Sequence, residues 1–141
     1  MAAARRVVEG DRFTRAGKWK TWGPNDFLGP DVTGATLGIV GFGRIGQGMA
    51  KRAQGFDMRI IYFDTQRHPA AEQTHGAQYA DLNTLLRESD FVTLHTVLSE
   101  DTYHLMDDER LKMMKPSGIL INTARGPVVD PAALFRALAH G

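Results

Sequence analysis

Three glycines in the segment LGIVGFGRIG have the spacing of a nucleotide-binding turn. Gly41, Gly43 and Gly46 follow the pattern G-x-G-x-x-G directly after a short apolar run. Glycines at these positions allow a tight turn and a close approach of the backbone to a pyrophosphate. The helix expected to begin at Arg44 would add unpaired N–H groups and a favourable dipole. Glycine-rich turns are common, so the prediction of a dinucleotide site needs a second, independent sign.

An acidic residue at the end of the next apolar run supplies that sign. Asp64 lies eighteen residues after Gly46, where a carboxylate can accept hydrogen bonds from both ribose hydroxyls of an adenosine. The same charge repels a 2′-phosphate, so the sequence favours NAD over NADP. Arg67 would accommodate that phosphate if its loop folded back, but we interpret it as a solvated loop charge.

An arginine follows the last apolar run of the chain, in GILINTARGPVVD at residues 118–130. In an open parallel sheet, ligands bind outside the carboxyl ends of the strands, so Arg125 is expected on the same edge as Gly41 and Asp64. Its guanidinium could bind a substrate carboxylate through two hydrogen bonds, or polarise a carbonyl oxygen that gains charge during hydride transfer. The alternative is an arginine that only caps backbone carbonyls. Asp130, in VVDPAAL, is interpreted as a helix N-cap and not as a catalytic group.

Short apolar runs alternate with amphipathic helices after residue 34. The predicted strands are residues 37–40, 60–63, 77–79, 91–94 and 119–121. The predicted helices are residues 44–54, with Ile45, Met49, Ala53 and Phe56 on one face, and three helices capped by Asp81, Asp107 and Asp130. His68 and His75 are assigned to the loop and turn after the second strand. This alternation predicts an α/β fold, a Rossmann-type doubly wound parallel sheet of about five strands.

The first 34 residues are predicted to form an arm ahead of the sheet. A helix is expected over residues 2–9 with Gly10 as its stop, followed by a short helical stretch at residues 11–16 and an irregular segment at residues 17–34. Three aromatic side chains of this segment need a surface to pack against, and a second subunit would supply one: Trp19, Trp22 and Phe27. We therefore expect residues 1–34 to be a linking helix and dimerisation arm, and residues 35–141 to be the nucleotide-binding domain.

Composition excludes several classes of protein. The 141 residues carry 17 basic and 16 acidic side chains with the basic ones scattered, so nucleic acid is not an expected partner. The chain has no cysteine, which removes thiolate catalysis and Cys-ligated zinc, and no metal site is predicted. A reducing compartment is favoured, with the cytoplasm as the default. No apolar run approaches the length of a membrane span, so neither membrane insertion nor export is expected from this sequence.

Several motifs together resemble a known family. GIVGFGRIGQGMAKRAQGF, YFD, SDFVTLHTVLSEDTYHLM and MKPSGILINTARGPVVDPAAL are similar to the coenzyme domain of the D-isomer-specific 2-hydroxyacid dehydrogenases. GKWKTWGPNDFLGPDVTGATLGIVG is similar to the arm that precedes this domain in their glyoxylate and hydroxypyruvate reductase branch. The resemblance covers nearly the whole chain. It implies an enzyme that reduces small 2-oxo acids with NADH or NADPH, and a homodimer formed through this domain and its arm.

The resemblance also implies roles for individual residues. Arg125 would be the substrate-binding and catalytic arginine, and Asp64 would bind the adenosine ribose. The backbones of Arg44 and Ile45 would contact the pyrophosphate. Thr96 and Val97 would border the adenosine, and the residues toward the nicotinamide would be Thr102, Thr123 and Ala124. One departure is visible, because the family usually has His-x-Pro where this chain has His95-Thr96-Val97.

A larger departure concerns the acid/base pair. The family uses a histidine held by a glutamate to protonate the carbonyl oxygen, and none of the five histidines here matches that motif. By the resemblance, the chain begins inside a linking helix, ends after five strands and lacks the substrate-binding domain, so it is expected to be a piece of an enzyme without useful turnover. Two alternatives stay open: an NAD-dependent corepressor of the C-terminal-binding-protein class, and a dimerising module that binds no nucleotide.

Overall fold

The structure is a computed structural model that describes residues 1–140, without the side chain of His140. It divides into two units, Met1–Thr33 and the residues from Gly34 onward. In the part of the chain that is described, no helix is long and apolar enough to cross a membrane.

Five parallel strands make the sheet of the second unit. They are β1 (Thr36–Val40), β2 (Arg59–Phe63), β3 (Ala77–Tyr79), β4 (Phe91–Leu94) and β5 (Ile119–Asn122), in the order β3-β2-β1-β4-β5. The predicted α/β fold with a Rossmann-type parallel sheet is confirmed. Val40 pairs with Phe63 and with Leu94, and Leu94 pairs with Asn122, so four strands end at one edge of the sheet.

Helices cover both faces of this sheet. They are α2 (Arg44–Ala53), α3 (Pro69–His75), α4 (Leu82–Glu88), α5 (Asp108–Met113) and α6 (Pro131–His140). An added Cβ on Gly38 of β1 would meet Leu85 of α4 at 2.6 Å, whereas the Ile39 side chain lies toward Gly46 of α2. Because neighbouring strand residues point to opposite faces, α2 and α4 lie on opposite sides of the sheet.

The three predicted helix caps are confirmed. The Asp81 carboxylate accepts a hydrogen bond from the Thr84 backbone N–H at 2.9 Å. The Asp107 carboxylate accepts one from the Arg110 backbone N–H, also at 2.9 Å. Asp130 accepts from the Ala132 N–H at 2.9 Å, with Pro131 at the first position of α6. Each carboxylate satisfies an amide that the helix leaves unpaired, which explains why the caps could be predicted from residue type and position.

Two predictions for the second unit are wrong. His68 lies in the loop after β2 as expected, but His75, expected in a turn, belongs to α3, which begins at Pro69 and ends at a left-handed Gly76. Of the four residues predicted to share the apolar face of the helix at residues 44–54, Ala53 is buried, but Ile45 is 67% exposed and Phe56 is also exposed; the other buried residues of α2 are Gly46 and Ala50. The small residues lie against the sheet because α2 approaches β1 closely: a Cβ added to Gly46 would lie 3.2 Å from Cγ2 of Ile39.

The first unit contains one helix, α1 (Val7–Arg15), which runs through Gly10. The predicted helix over residues 2–9 and the stop at Gly10 are therefore wrong. Gly10 donates its N–H to the Arg6 carbonyl at 3.0 Å, and an interior glycine costs only about 1 kcal/mol, so the helix continues. The left-handed residue that follows the helix is Gly17. In the same unit the ring of Phe27 packs edge-on against Phe13, with centroids 5.1 Å apart.

Candidate cofactor and substrate site

The predicted site residues meet at the carboxyl edge of the sheet. Gly41 directly follows β1, Asp64 follows β2, His95 follows β4 and Thr123 follows β5. The strand register aligns these four ends, so residues distant in sequence lie along one crevice. Ligands of open α/β sheets bind at such an edge, where the strand order reverses, and here the reversal is at β1 and β4.

The three glycines of the turn differ in what their surroundings require. Gly41 has φ of +91°, and an added Cβ would lie 2.9 Å from the Thr96 backbone nitrogen. A Cβ on Gly46 would lie 2.2 Å from the Gly41 carbonyl oxygen. Gly43 is extended, and nothing lies within 4 Å of its added Cβ. Packing therefore explains Gly41 and Gly46, whereas Gly43 borders open space that a ligand can enter.

The helix α2 opens directly at this space. Gly43 is its N-cap and supplies no side-chain acceptor, and Arg44 and Ile45 are its first two residues. The N–H groups of a first helical turn have no intrahelical partner, and the helix dipole adds a partial positive charge there. The side-chain amide of Gln47, a residue of α2, donates a hydrogen bond to the Phe42 carbonyl at 2.9 Å and so stabilises the turn. This arrangement fits an anionic pyrophosphate.

Asp64 is bonded to the turn through its carboxylate. Its Oδ2 accepts from the Phe42 backbone N–H at 2.6 Å, and its Oδ1 accepts from the Thr65 hydroxyl at 3.2 Å. Partial burial alone would raise the pKa of Asp64, but hydrogen bonds from the Phe42 N–H, the Thr65 hydroxyl and N–H, and the Gln66 N–H outweigh it and lower the pKa. The carboxylate is therefore charged at neutral pH and has acceptor capacity left for a ribose.

Two basic side chains follow Asp64, and they are held differently. Arg67 pairs with both carboxylate oxygens of Glu72, at 3.0 and 2.9 Å, so it is exposed but not the free solvated charge that the sequence suggested. His68 lies with its Nε2 3.5 Å from Asp64 Oδ2. The Tyr62 hydroxyl fixes this loop, because it donates to Glu72 at 2.7 Å and accepts from the His68 backbone N–H at 2.8 Å.

His95 joins the ends of β4 and β5. Its Nε2 lies 3.0 Å from the Thr93 hydroxyl, and its Nδ1 lies 3.3 Å from the Thr123 hydroxyl. Burial lowers the pKa of His95. A neutral imidazole between two hydroxyls can donate through one nitrogen and accept through the other, so both contacts can be satisfied without a charge.

The segment after His95 includes three predicted cofactor residues. The Thr96 hydroxyl oxygen is buried and has no hydrogen-bond partner among the described residues, while Val97 is 79% exposed. The Thr102 hydroxyl donates to the Val97 carbonyl at 2.6 Å and accepts from the Ser99 N–H at 2.8 Å. Thr102 thus closes the turn that presents Val97, in addition to any contact with a ligand.

Arg125 lies on a loop that Asn122 closes from both sides. The Asn122 side chain accepts from the Ala124 N–H at 3.0 Å and donates to the Arg125 carbonyl at 2.9 Å. Arg125 is exposed, and its guanidinium makes one hydrogen bond within the described residues, to the Ala124 carbonyl at 2.9 Å. Most of its five N–H donors are therefore available for a ligand.

Sequence reasoning missed His68 and Asn122 as parts of this edge. Pro69 after His68 and Gly76 seven residues later are start and stop signals that could have revealed α3 and placed His68 at its N-cap. Asn at the end of a strand commonly bonds backbone two residues on, which is the signal for Asn122. Within the described residues, no group of three His, Asp or Glu side chains could hold a metal ion.

Comparison with known proteins gives consistent matches over the whole chain. The family model described as "D-isomer specific 2-hydroxyacid dehydrogenase, NAD binding domain" matches residues 1–141. The chain is 56% identical over 145 residues to the glyoxylate reductase of Thermococcus litoralis, covering 100% of this chain and 44% of that protein. It is also 56% identical over 142 residues to the glyoxylate reductase of Korarchaeum cryptofilum, covering 100% of this chain and 43% of that protein.

Solved structures agree with these matches. The TT0316 protein from Thermus thermophilus is 48% identical with a TM-score of 0.91, over 98% of this chain and 43% of that one. The D-lactate dehydrogenase from Aquifex aeolicus, complexed with NAD and lactic acid, is 32% identical with a TM-score of 0.91, over 99% of this chain and 41% of that one. The chain therefore spans less than half the length of the relatives it matches.

Proposed function

Because the chain belongs to the D-isomer-specific 2-hydroxyacid dehydrogenase family, as its NAD-binding domain, we propose that it is the NAD(H)-binding part of an oxidoreductase. The reaction is the reduction of a small 2-oxo acid, of the glyoxylate or hydroxypyruvate kind, to a D-2-hydroxy acid. The observation that carries this proposal is the bond between Asp64 and the glycine turn, with Oδ2 of the carboxylate 2.6 Å from the Phe42 nitrogen. It joins the acid that would bind the ribose to the turn that would bind the pyrophosphate.

Different residues of the carboxyl edge are assigned to different parts of the cofactor. Gly41, Gly43 and Gly46 with the amides of Arg44 and Ile45 hold the pyrophosphate, and Asp64 accepts from the ribose hydroxyls. Thr96 and Val97 border the adenosine side. The nicotinamide half lies toward Thr102, Thr123 and Ala124. NADH supplies the hydride when it is bound.

Arg125 is proposed as the catalytic residue of this chain. It is exposed at the carboxyl end of β5, and Asn122 holds its loop. A guanidinium in this position binds the substrate carboxylate through paired hydrogen bonds and stabilises negative charge on the carbonyl oxygen. The chain contains no histidine and glutamate pair of the family's kind, so we expect the 141 residues alone to give no steady turnover. Sustained oxidation of NADH by the purified chain with glyoxylate or hydroxypyruvate would contradict that expectation.

We propose NAD as the preferred cofactor. The pKa of Asp64 is lowered by its hydrogen bonds, so a charged carboxylate faces the position of a 2′-phosphate. Arg67, which would be needed to balance that phosphate, is paired with Glu72. A 2′-phosphate would therefore be repelled by the Asp64 carboxylate, with no arginine available to offset that repulsion.

A parallel titration with NADH and NADPH tests the proposed function. Calorimetry or nucleotide fluorescence at neutral pH should give saturable binding of NADH, and weaker binding of NADPH by roughly tenfold or more, as one uncompensated charge contact predicts. Circular dichroism on the same sample establishes that the chain is folded. A folded chain that binds neither nucleotide would overturn the proposal.

We also propose that the protein is a cytoplasmic homodimer formed through the arm. Within the first unit, Trp19 is 57% exposed and Trp22 is 75% exposed, and such rings are stabilised when a partner covers them. Light scattering at micromolar concentration should give twice the chain mass of 15.6 kDa. The variant Trp22→Ser should shift the mass toward that of one chain, and a monomeric wild type would refute this assembly.

A further inference from the structure

His68 is the basic side chain in contact with Asp64, the residue proposed to bind the ribose. Its Nε2 lies 3.5 Å from Asp64 Oδ2, and its side chain is one-third exposed. The loop that carries it is anchored, because the His68 backbone N–H donates to the Tyr62 hydroxyl at 2.8 Å. The imidazole is thus held beside the carboxylate by the fold, and solvent can still reach it to exchange a proton.

Among the charged groups that surround His68, Arg67 and Glu72 are paired with each other. The His68 ring packs near the rings of Phe42 and Tyr62, with centroids 6.1 and 6.2 Å away. The charged groups around it are Asp64 at the end of β2, Arg67 on its own loop and Glu72 on α3. The charges of Arg67 and Glu72 offset each other. The net charge next to the proposed ribose position is therefore the sum of the charges on Asp64 and His68.

There is also room for a phosphate beside His68. An open groove of about 460 Å³ adjoins the imidazole, lined by Gln47 of α2 and by residues of α3 and the loop before it. Arg67 and His75 line the same groove. The groove reaches the His68 ring, and the same ring lies 3.5 Å from Asp64, so open space adjoins the side chain that would meet the phosphate.

We propose that His68 makes the choice between NADH and NADPH at Asp64 depend on pH, with protonation of its imidazole admitting a 2′-phosphate that the neutral form rejects. This inference rests on the proposed function, because it requires the adenosine ribose to lie at Asp64. Neutral His68 leaves the carboxylate uncompensated against the phosphate. Protonated His68 offsets that charge and offers a donor to the phosphate oxygens.

The direction of the effect follows from linkage. If a 2′-phosphate makes protonation of His68 easier, protonation must in turn tighten NADPH binding by the same factor. An imidazole changes charge between about pH 5 and pH 8. The pH dependence of NADPH binding should therefore appear within this range. A shift of one unit in the His68 titration midpoint corresponds to a change of about tenfold in relative affinity.

The test is a comparison of three forms of the chain. The ratio of the NADPH and NADH dissociation constants is measured at about pH 8 and about pH 5.5 for wild type, His68→Gln and His75→Gln. The 2′-phosphate itself takes up a proton near about pH 6, so some fall in the ratio is common to all three forms. We expect an additional fall of about tenfold in wild type and in His75→Gln, and its loss in His68→Gln. His75 is the matched control because it lines the same groove and lies in no ion pair among the residues that the structure describes.

A second measurement separates this role from a structural one. The titration of the His68 ring is followed by NMR in the chain saturated with NADH and with NADPH, and its midpoint should be higher with NADPH. Equal midpoints, or equal pH dependence in wild type and His68→Gln, would overturn the inference while leaving the proposed function intact. Failure to bind NADH at either pH would instead refute the proposed function on which the inference rests.

Discussion

The Asp64 carboxylate accepts a hydrogen bond from the Phe42 backbone N–H at 2.6 Å, so the end of β2 fixes the shape of the turn that follows β1. One side chain thus both positions the glycine turn proposed to bind the pyrophosphate and presents the charge expected at the ribose. The bond also lowers the pKa of Asp64, which keeps the carboxylate ionised at neutral pH. Cofactor binding and cofactor choice are therefore expected to depend on the same residue.

Replacing Asp64 with Asn should weaken NADH binding by roughly 10- to 100-fold. A charge-assisted hydrogen bond contributes about 1.5–3 kcal/mol, and the amide keeps only one acceptor oxygen for the turn and the ribose together. NADPH should lose much less affinity, because its phosphate no longer faces a carboxylate. Calorimetry with both nucleotides measures this. Asp57→Asn is the control, since Asp57 is exposed and its left-handed backbone tolerates Asn; an equal loss in both variants would argue against a role for Asp64.

Substitutions at two glycines of the turn should affect different properties, one the stability of the fold and the other the binding of NADH. Gly46→Ala places a methyl group 2.2 Å from the Gly41 carbonyl oxygen and should lower the free energy of unfolding by about 3 kcal/mol. Gly43→Ala meets no atom within 4 Å, so the free energy of unfolding should stay within about 0.5 kcal/mol of wild type. NADH affinity should nevertheless fall at least about tenfold in Gly43→Ala, because the methyl group occupies the space that the pyrophosphate needs. Urea unfolding and NADH titration measure the two effects, and normal NADH binding by Gly43→Ala would contradict the proposed position of the pyrophosphate.

Arg125 should matter for substrate and not for folding. The variant Arg125→Gln removes a guanidinium whose one hydrogen bond within the described residues is to its neighbour's carbonyl, so the melting temperature of the chain should not change. In a longer polypeptide that contains this domain and turns over, kcat/KM for 2-oxo acid reduction should fall roughly 100- to 1,000-fold. Arg125→Lys should recover little, because an ammonium cannot form the paired contact. An unchanged kcat/KM in Arg125→Gln would remove Arg125 from the mechanism.

The sequence predicted what depends on local pattern. The bounds of β4 match the prediction because four consecutive apolar or β-branched residues make a buried strand recognisable. The alignment of Gly41, Asp64 and Arg125 along one edge could be predicted because parallel strands end together. The prediction failed for α3, whose seven residues offer only alanines as an apolar face. Contacts across long separations, such as Thr123 with His95, depend on packing and have no local pattern.

His95 should make the stability of the fold depend on pH. Burial lowers its pKa below the ordinary value of 6.5, so the unfolded chain takes up a proton first as pH falls. The free energy of unfolding should therefore decrease as pH falls from about 6.5 through the pKa of the folded state, with a slope of at most about 1.4 kcal/mol per pH unit. Urea unfolding at several pH values should show a shallower decrease in His95→Gln than in wild type. His75→Gln is the control and should keep the wild-type slope; identical slopes in all three proteins would contradict the account of His95.

The most direct test of the central claim is a map of backbone amide shifts in the ¹⁵N-labelled chain during titration with NADH. We predict saturable shifts that are largest at Gly43, Arg44 and Ile45 and at Asp64, with further shifts at Thr123 that ADP-ribose does not reproduce. That result would place the pyrophosphate at the start of α2 and the nicotinamide beside the Arg125 loop. A folded chain without saturable shifts at the glycine turn, or with shifts confined to other surfaces, would contradict the assignment of a dinucleotide site to this edge of the sheet.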